Sequence, residues 1–501
     1  MNMSLELNDR RGAQWLCFTL VLLCSAAVNF CHLGAWPWDH DEVATLVELG
    51  LYEPKYDEGR LAVQFERLPK LVPAWYTLQQ IVLKVLPANE FGTRVLSAFC
   101  GSLATALAFL FAWRGRSLTF ALAIALLMGL NQTYVWLVQQ NRFYSMGMLF
   151  LVLVLAAMWS RGEGHIKSAL LGSVAVVVAV LSHNLVAAVL WIGGIAAAMC
   201  LPFGLVPRRV GYRAILFASV AFVTYVFYLR PLMTGWISGG TGGTNELVSF
   251  VAQLGIPTTA LAGLCFAGLM MERPLNREFS WWGLVMIGGV AFIAFSPWLL
   301  GNWNPRYAIF FMIPFWVLGG LLIERIVERC AGNWQRAICY GFLVILLMPK
   351  FLSYWCDGSR HDFRTAVQTL QGRLQDSHTV YSDWPLQCDY YLRALTSRRL
   401  DHWSGKPDPA DSVSWAVLAS NVFAPLLTVP DYNCQIVEQI VRRRFDEQTH
   451  VIRIYRIWKA EKRTEGDIQT GSWGYSESAP ESWRMRTARI ARAQPAHDGG
   501  D

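Results

Sequence analysis

Long apolar runs joined by short, arginine-bearing connections dominate the first 355 residues. The first run, 13–31, carries no charge and is long enough for a hydrocarbon core that needs about 20 apolar residues. Further runs follow at 93–113, 117–131, 142–159, 168–182, 184–203, 214–230, 246–271, 279–299, 306–323 and 337–354, so the pattern predicts eleven transmembrane helices. When these alternate in direction, Arg10/Arg11, Arg114/Arg116, Arg161/Lys167, Arg208/Arg209/Arg213, Arg273/Arg277 and Arg325/Arg329/Arg336 fall on one side, and the excess of basic residues makes that side cytoplasmic. The first outer loop, 32–92, and everything after residue 355 then lie outside.

Two segments break the spanning pattern. Within 43–92, Val43, Leu46, Val47 and Leu51 recur at helical spacing, as do Leu78, Ile81, Val82, Val85 and Leu86 after Pro73. Both are expected to be helices lying flat in the interface, with Trp75 and Tyr76 at headgroup depth. Beyond 355 the texture becomes mixed. Phe363, Val367, Leu370 and Leu374 mark a helix face, while 378–381, 415–418 and 451–457 read as strands, the last preceded by a helix over 434–445. The expected organisation is a transmembrane module over 1–355, a small outer α/β domain over 356–460, and a disordered tail over 461–501.

Composition agrees. Of 501 residues, 54% are hydrophobic and 16% charged, against about 25% charged in soluble proteins. The net charge of +7 is scattered over loops rather than gathered in a patch, so no nucleic-acid partner is expected. Most of the eleven cysteines lie inside apolar runs; only Cys356, Cys388 and Cys434 fall in the polar part, where one disulfide can form and its pairing stays open. Arg10 and Arg11 before an apolar run resemble a signal peptide, but the length of the run favours an uncleaved first span.

Candidate chemistry gathers on the outer face. Trp36-Pro37-Trp38-Asp39-His40-Asp41-Glu42 follows the first span, and Asn141-Arg142, His183-Asn184 and Asn304-Pro305-Arg306-Tyr307 all stand at outer span ends. No Asp, Glu, Lys or Arg sits near a span middle, where an ion-coupled transporter holds its ionisable groups. Each candidate has a structural alternative. Asp39 and Glu42 suit the cap of the helix beginning near 42; His183 suits a backbone hydrogen bond. Arg142 and Arg306 suit interfacial anchors, or a phosphate clamp opposite the carboxylates. Lys70 belongs equally to a solvated surface and to capture of a substrate phosphate. Asn131-Gln132-Thr133 matches a glycosylation triplet in a loop that hugs the membrane. The spacing supports no dedicated metal site and no cofactor, although Asp39, Asp41 and His183 have the donor atoms for a divalent ion.

Asp41-Glu42 after a Trp/Pro segment, Phe91-Gly92-Thr93-Arg94-Val95-Leu96-Ser97, Asn141-Arg142-Phe143-Tyr144-Ser145, Ser182-His183-Asn184 and Pro305-Arg306-Tyr307 occur in order on one face. This series resembles the landmarks of the GT-C glycosyltransferases, in particular the polyprenyl-phosphate-sugar enzymes related to protein O-mannosyltransferases and lipid A aminoarabinose transferases. The resemblance implies an α-helical integral membrane fold with a small outer domain, in a bacterial inner (plasma) membrane. It implies transfer of a sugar from a polyprenyl-phosphate carrier to an outer glycan, lipid or protein acceptor. Asp41 is then the base or the carboxylate that orients the acceptor, with Glu42 its partner and Asp39 beside it. Arg142 and Arg306 would hold the carrier phosphate, with Tyr144, His183, Tyr307 and Lys70 as further substrate contacts. Leu68-Pro69-Lys70 stands where the family often carries a Pro-Pro pair. An O-antigen ligase or polymerase using a diphosphate-linked donor, and a lipid flippase, are the alternatives.

Overall fold

The computed structural model describes residues 2–53, 69–70, 72–160, 165–233, 250–251, 254–271, 277–300, 305–357, 361–371, 373–374, 378–393, 400–403, 407, 413–421, 426–443 and 449–460, with the backbone alone at 2–11, 165, 232–233, 266, 268–271, 277–279, 296–300, 305–307, 353, 356–357, 393, 401–402, 420–421, 442–443 and 449–450. The expected tail, 461–501, lies outside these residues. The apolar runs are helices: α1 Asn2–Phe30, then, after α2 His40–Glu48 and α3 Pro73–Val82, α4 Glu90–Gly115, α5 Leu118–Gly129, α6 Gln132–Val138, α7 Tyr144–Trp159, α8 His165–Ser182, α9 Leu185–Cys200, α10 Arg208–Thr224, α11 Ile256–Met271, α12 Arg277–Leu300, α13 Ile313–Glu328 and α14 Asn333–Asp357. A 3-10 turn, Pro305–Met312, leads into α13.

Among the described residues five helices are by themselves long and apolar enough to cross a membrane, and α5 with α6 makes a sixth, bent by 66°. The other apolar helices run 10–17 residues, so this measure yields fewer spans than the eleven expected. The bend falls at Asn131, whose side chain accepts from the Tyr134 N–H and donates to the Leu254 carbonyl 3.1 Å away. Asn131 is therefore a buried helix cap and not the glycosylation acceptor its triplet suggested. The short helix α6 lies wholly in the interior, close against α4, where a Cβ on Gly101 would come within 2.4 Å of Val138. Burial separates the centre of the bundle from its rim. The spanning parts of α4 and α13 are 61% and 78% buried, those of α1 and α14 only 11% and 17%, which leaves α1 and α14 to face lipid.

Beyond α14 come α15 Phe363–Gln371, β1 Thr379–Ser382, α16 Pro385–Arg393, β2 Leu400–His402, β3 Val413–Asn421, β4 Tyr432–Arg443 and β5 Thr449–Lys459. The sheet order is β2-β1-β3-β5-β4, with β1 parallel to β2 and β3, and β3 antiparallel to β5. The helix expected over 434–445 is instead strand β4. Its apolar residues Ile436, Val437, Ile440 and Val441 mimic a helical stripe, but all are β-branched and favour the pleated backbone. Cys388 and Cys434 are free thiols.

Residues 1–458 form one compact unit, so no break in packing falls at 355/356. The reason is α2. Its apolar face, Val43, Ala44 and Leu46, packs with Trp38 into the core of the sheet region beside Phe363, Leu370, Leu386 and Trp415. The helix expected to lie against lipid is thus covered by protein. Trp75 and Tyr76 of α3, expected at headgroup depth, are buried as well, within the main helical core.

Candidate active site

Helix α2 is delimited at both ends by local chemistry. Asp39 has extended backbone (φ −80°, ψ 160°) and forms a capping box with Glu42: its side chain accepts backbone N–H groups at the helix start, and Glu42 Oε2 accepts the Asp39 N–H at 3.0 Å. At the other end Gly50 takes φ +70°, its N–H donates to Val47 O and the Leu51 N–H to Leu46 O, each at 2.9 Å, which is the Schellman closure. Helix α16 holds the flanks. Gln387 donates to Trp38 O at 2.9 Å, the Trp38 N–H donates to the Tyr391 hydroxyl at 2.7 Å, and Tyr52 donates to Asp389.

With its apolar stripe committed to the sheet region, α2 presents Asp41, Glu42 and Glu48 to the bundle. Successive helical residues point about 100° apart, so the adjacent carboxylates diverge. Glu42 is fully buried and forked onto Arg94 of α4, with Nε–Oε1 at 2.7 Å and Nη2–Oε2 at 2.8 Å. Arg94 also donates to the carbonyls of Leu33, Trp36 and Pro37, and Glu42 Oε1 accepts the Asn141 N–H at 2.7 Å. This assembly ties the loop after α1, α2, α4 and the α6–α7 junction together. Glu42 is thus part of the frame that holds the site together, and Asp39 caps the helix that carries it.

Asp41 keeps about a third of its side chain exposed and lies 3.6 Å from Arg142. The guanidinium, itself buried over the Phe143 ring, is also 3.6 Å from Glu48, two helical turns beyond Asp41 on the same face. Glu48 is wholly buried at the C-terminal end of α2, and its Oε2 accepts from the Tyr76 hydroxyl of α3. Burial, then the nearby charge of Asp41, raises its pKa from 4.5 to about 8, against the opposing pull of Arg142. Glu48 is absent from the sequence-derived set, although its i+7 spacing from Asp41 was the available signal.

The remaining expected contacts are distributed. Tyr144 opens α7 and is buried; His183, between α8 and α9, accepts the Leu185 N–H at Nδ1 and sits in an aromatic cluster with Phe143, Tyr144 and Phe310 at centroid distances of 4.7–5.3 Å. Burial favours its neutral form. Phe143 brings this cluster next to Arg142. Lys70 is exposed, and its carbonyl accepts from the Tyr228 hydroxyl. Arg306 and Tyr307 stand at the start of the turn that carries Phe310, and their side chains lie outside the described residues. Among the described residues no three His, Cys, Asp or Glu side chains converge as a metal ion requires.

No family model matches the chain, and no curated protein sequence matches it. Among solved structures it is similar to ArnT from Cupriavidus metallidurans in the apo state, with a TM-score of 0.51 at 12% identity over 88% of this chain and 98% of that one. The undecaprenyl phosphate-bound structure of the same ArnT gives 0.47 at 12%, over 87% and 98%. The arabinofuranosyltransferase AftD from Mycobacteria gives 0.46 at 13%, over 89% of this chain and 40% of that one. The fold expected from the sequence, a GT-C-type helical membrane bundle with a small mixed C-terminal sheet, is the fold found.

Proposed function

We propose that this protein is a membrane glycosyltransferase that moves a sugar from a polyprenyl-phosphate carrier to an acceptor outside the membrane, with Asp41 as the base. The observation that carries this reading is Asp41 itself: a partly exposed carboxylate held beside a buried arginine, on a helix fixed at both ends, in a GT-C-type fold. ArnT, which shares that fold, binds undecaprenyl phosphate, in agreement with a polyprenyl-phosphate donor here.

In the proposed step the acceptor hydroxyl or phosphate gives its proton to Asp41 while its oxygen attacks the anomeric carbon, the bond to the carrier phosphate breaks, and the configuration inverts. General base assistance of this kind is worth about 10²–10⁴ in rate. Arg142 orients Asp41 rather than clamping the phosphate, because its guanidinium already faces two carboxyls. Arg306 and Lys70 are the cations proposed for the leaving phosphate, whose charge grows in the transition state, and Tyr144 and His183 line the adjoining wall.

The test is to give the purified protein a panel of undecaprenyl-phosphate-linked hexoses and pentoses with native-membrane acceptors and follow release of undecaprenyl phosphate. Turnover that Asp41→Asn abolishes while the variant still binds the donor supports the reading; absence of turnover across the panel, or undiminished transfer by Asp41→Asn, removes it. The proposed orientation has its own check. In a chain stripped of its own cysteines, an impermeant thiol reagent on intact cells should label a cysteine at Leu51 and spare one at Trp334, both exposed positions.

A further inference from the structure

Three side chains from three parts of the chain meet at one point: Glu48 from the end of α2, Tyr76 from α3 and Arg142 from the α6–α7 junction, with Asp41 completing the set from the start of α2. One guanidinium serves two carboxyls, so ionising both leaves a net negative charge in a largely dry site. Desolvation assigns the shared proton. Glu48 is wholly buried, whereas Asp41 is about one-third exposed, and Glu48 also occupies the C-terminus of α2, where the helix dipole opposes negative charge. Its Oε1 has no hydrogen-bond partner, as suits a neutral carboxyl better than an ionised one.

We propose that Glu48 is a positioning residue for the transfer: protonated, it leaves the charge of Arg142 to Asp41, and ionised, it draws the guanidinium away and misplaces the base. This inference rests on Asp41 being the base. It makes the site a coupled set in which the proton count, rather than either carboxyl alone, decides competence. The groups that set the titration are Asp41 on the same helix, Arg142 opposite, and the Tyr76 hydroxyl against Oε2. The balance is simple: one proton leaves Glu48 for solvent as pH rises, and no bond other than O–H is broken.

The experiment is the pH profile of single-turnover transfer, using the member of the undecaprenyl-phosphate-sugar panel that the protein turns over. The parent should lose rate above a midpoint near pH 8, about tenfold for each further unit, as expected when one bound proton is needed. Glu48→Gln, which imitates the neutral acid, should stay active and lose this alkaline limb. A Glu48 that only fills space would leave the limb in place in Glu48→Gln, and that outcome overturns the proposal. If Glu48→Gln fails to fold, Tyr76→Phe takes its place: removing a donor that favours the ionised form should move the midpoint upward, and an unmoved midpoint counts against the proposal. Infrared titration needs no donor at all. A protonated-carboxyl band that persists above pH 7 in the parent and is missing in Glu48→Gln is required, and its absence from the parent overturns the inference while leaving the reading of Asp41 as base untouched. Unimpaired transfer by Asp41→Asn instead overturns that earlier reading.

Discussion

Two arginine–carboxylate assemblies stand side by side on α2, built around consecutive acidic residues, and they differ in distance, stoichiometry and exposure. Glu42 and Arg94 are forked at 2.7–2.8 Å, wholly buried, and saturated with backbone partners. Asp41, Arg142 and Glu48 meet at 3.6 Å with more carboxyl than guanidinium and one member open to solvent. The first has its protons and partners fixed and can only hold. The second has an excess charge that a proton must settle, so it can change state. Tightness marks the frame, and looseness beside it marks the group proposed for the chemistry.

The contrast is most exposed at Asp41. Asp41→Asn removes the basic oxygen and should slow single-turnover transfer roughly 10²–10⁴-fold, with thermal stability close to the parent's because no saturated pair is broken. Arg94→Ala should do the reverse. Stranding Glu42 in the interior costs about 3–5 kcal/mol, read as a collapsed melting temperature in detergent. A variant that melts like the parent would dissolve the distinction. The excess charge also predicts a pH effect on folding. Glu48 has a folded-state value of about 8 against 4.5 for the free group, so its neutral form contributes fully below about pH 4.5 and the contribution fades as pH rises through 8. Melting curves should decline over that window in the parent and less so in Glu48→Gln. Gly50→Ala, at φ +70°, should cost about 1–2 kcal/mol by straining the end of α2, lowering both melting temperature and transfer because the helix carries both assemblies. Asp39→Ala removes the cap, at about 1 kcal/mol, and should leave the rate per folded molecule nearly unchanged.

Much of this was legible from residue spacing. The apolar runs became helices, α2 begins at the expected cap, and Asp41 and Arg142 approach each other across 101 residues of chain. What could not be read was which partner covers an amphipathic face. The stripe Val43, Leu46 and Trp75 with Tyr76 on α3 look the same whether lipid or protein lies opposite; here protein does. Adjacent Asp41 and Glu42 read as one cluster because a sequence does not display the 100° turn between them, nor the arginine on α4 that claims one and ignores the other. Glu48 escaped notice because its importance comes from burial, which depends on α3 folding over it. Strand β4 imitated a helical stripe through four β-branched residues spaced in pairs.

The packing of α2 into the sheet region also fixes when its apolar face is covered during the protein's manufacture. Helix α2 emerges from the ribosome early, whereas Phe363, Leu386 and Trp415, which cover its apolar face, are translated more than 300 residues later. Until they arrive the apolar face of the helix has no cover. A chain terminated before the sheet would therefore carry α2 with its apolar face uncovered.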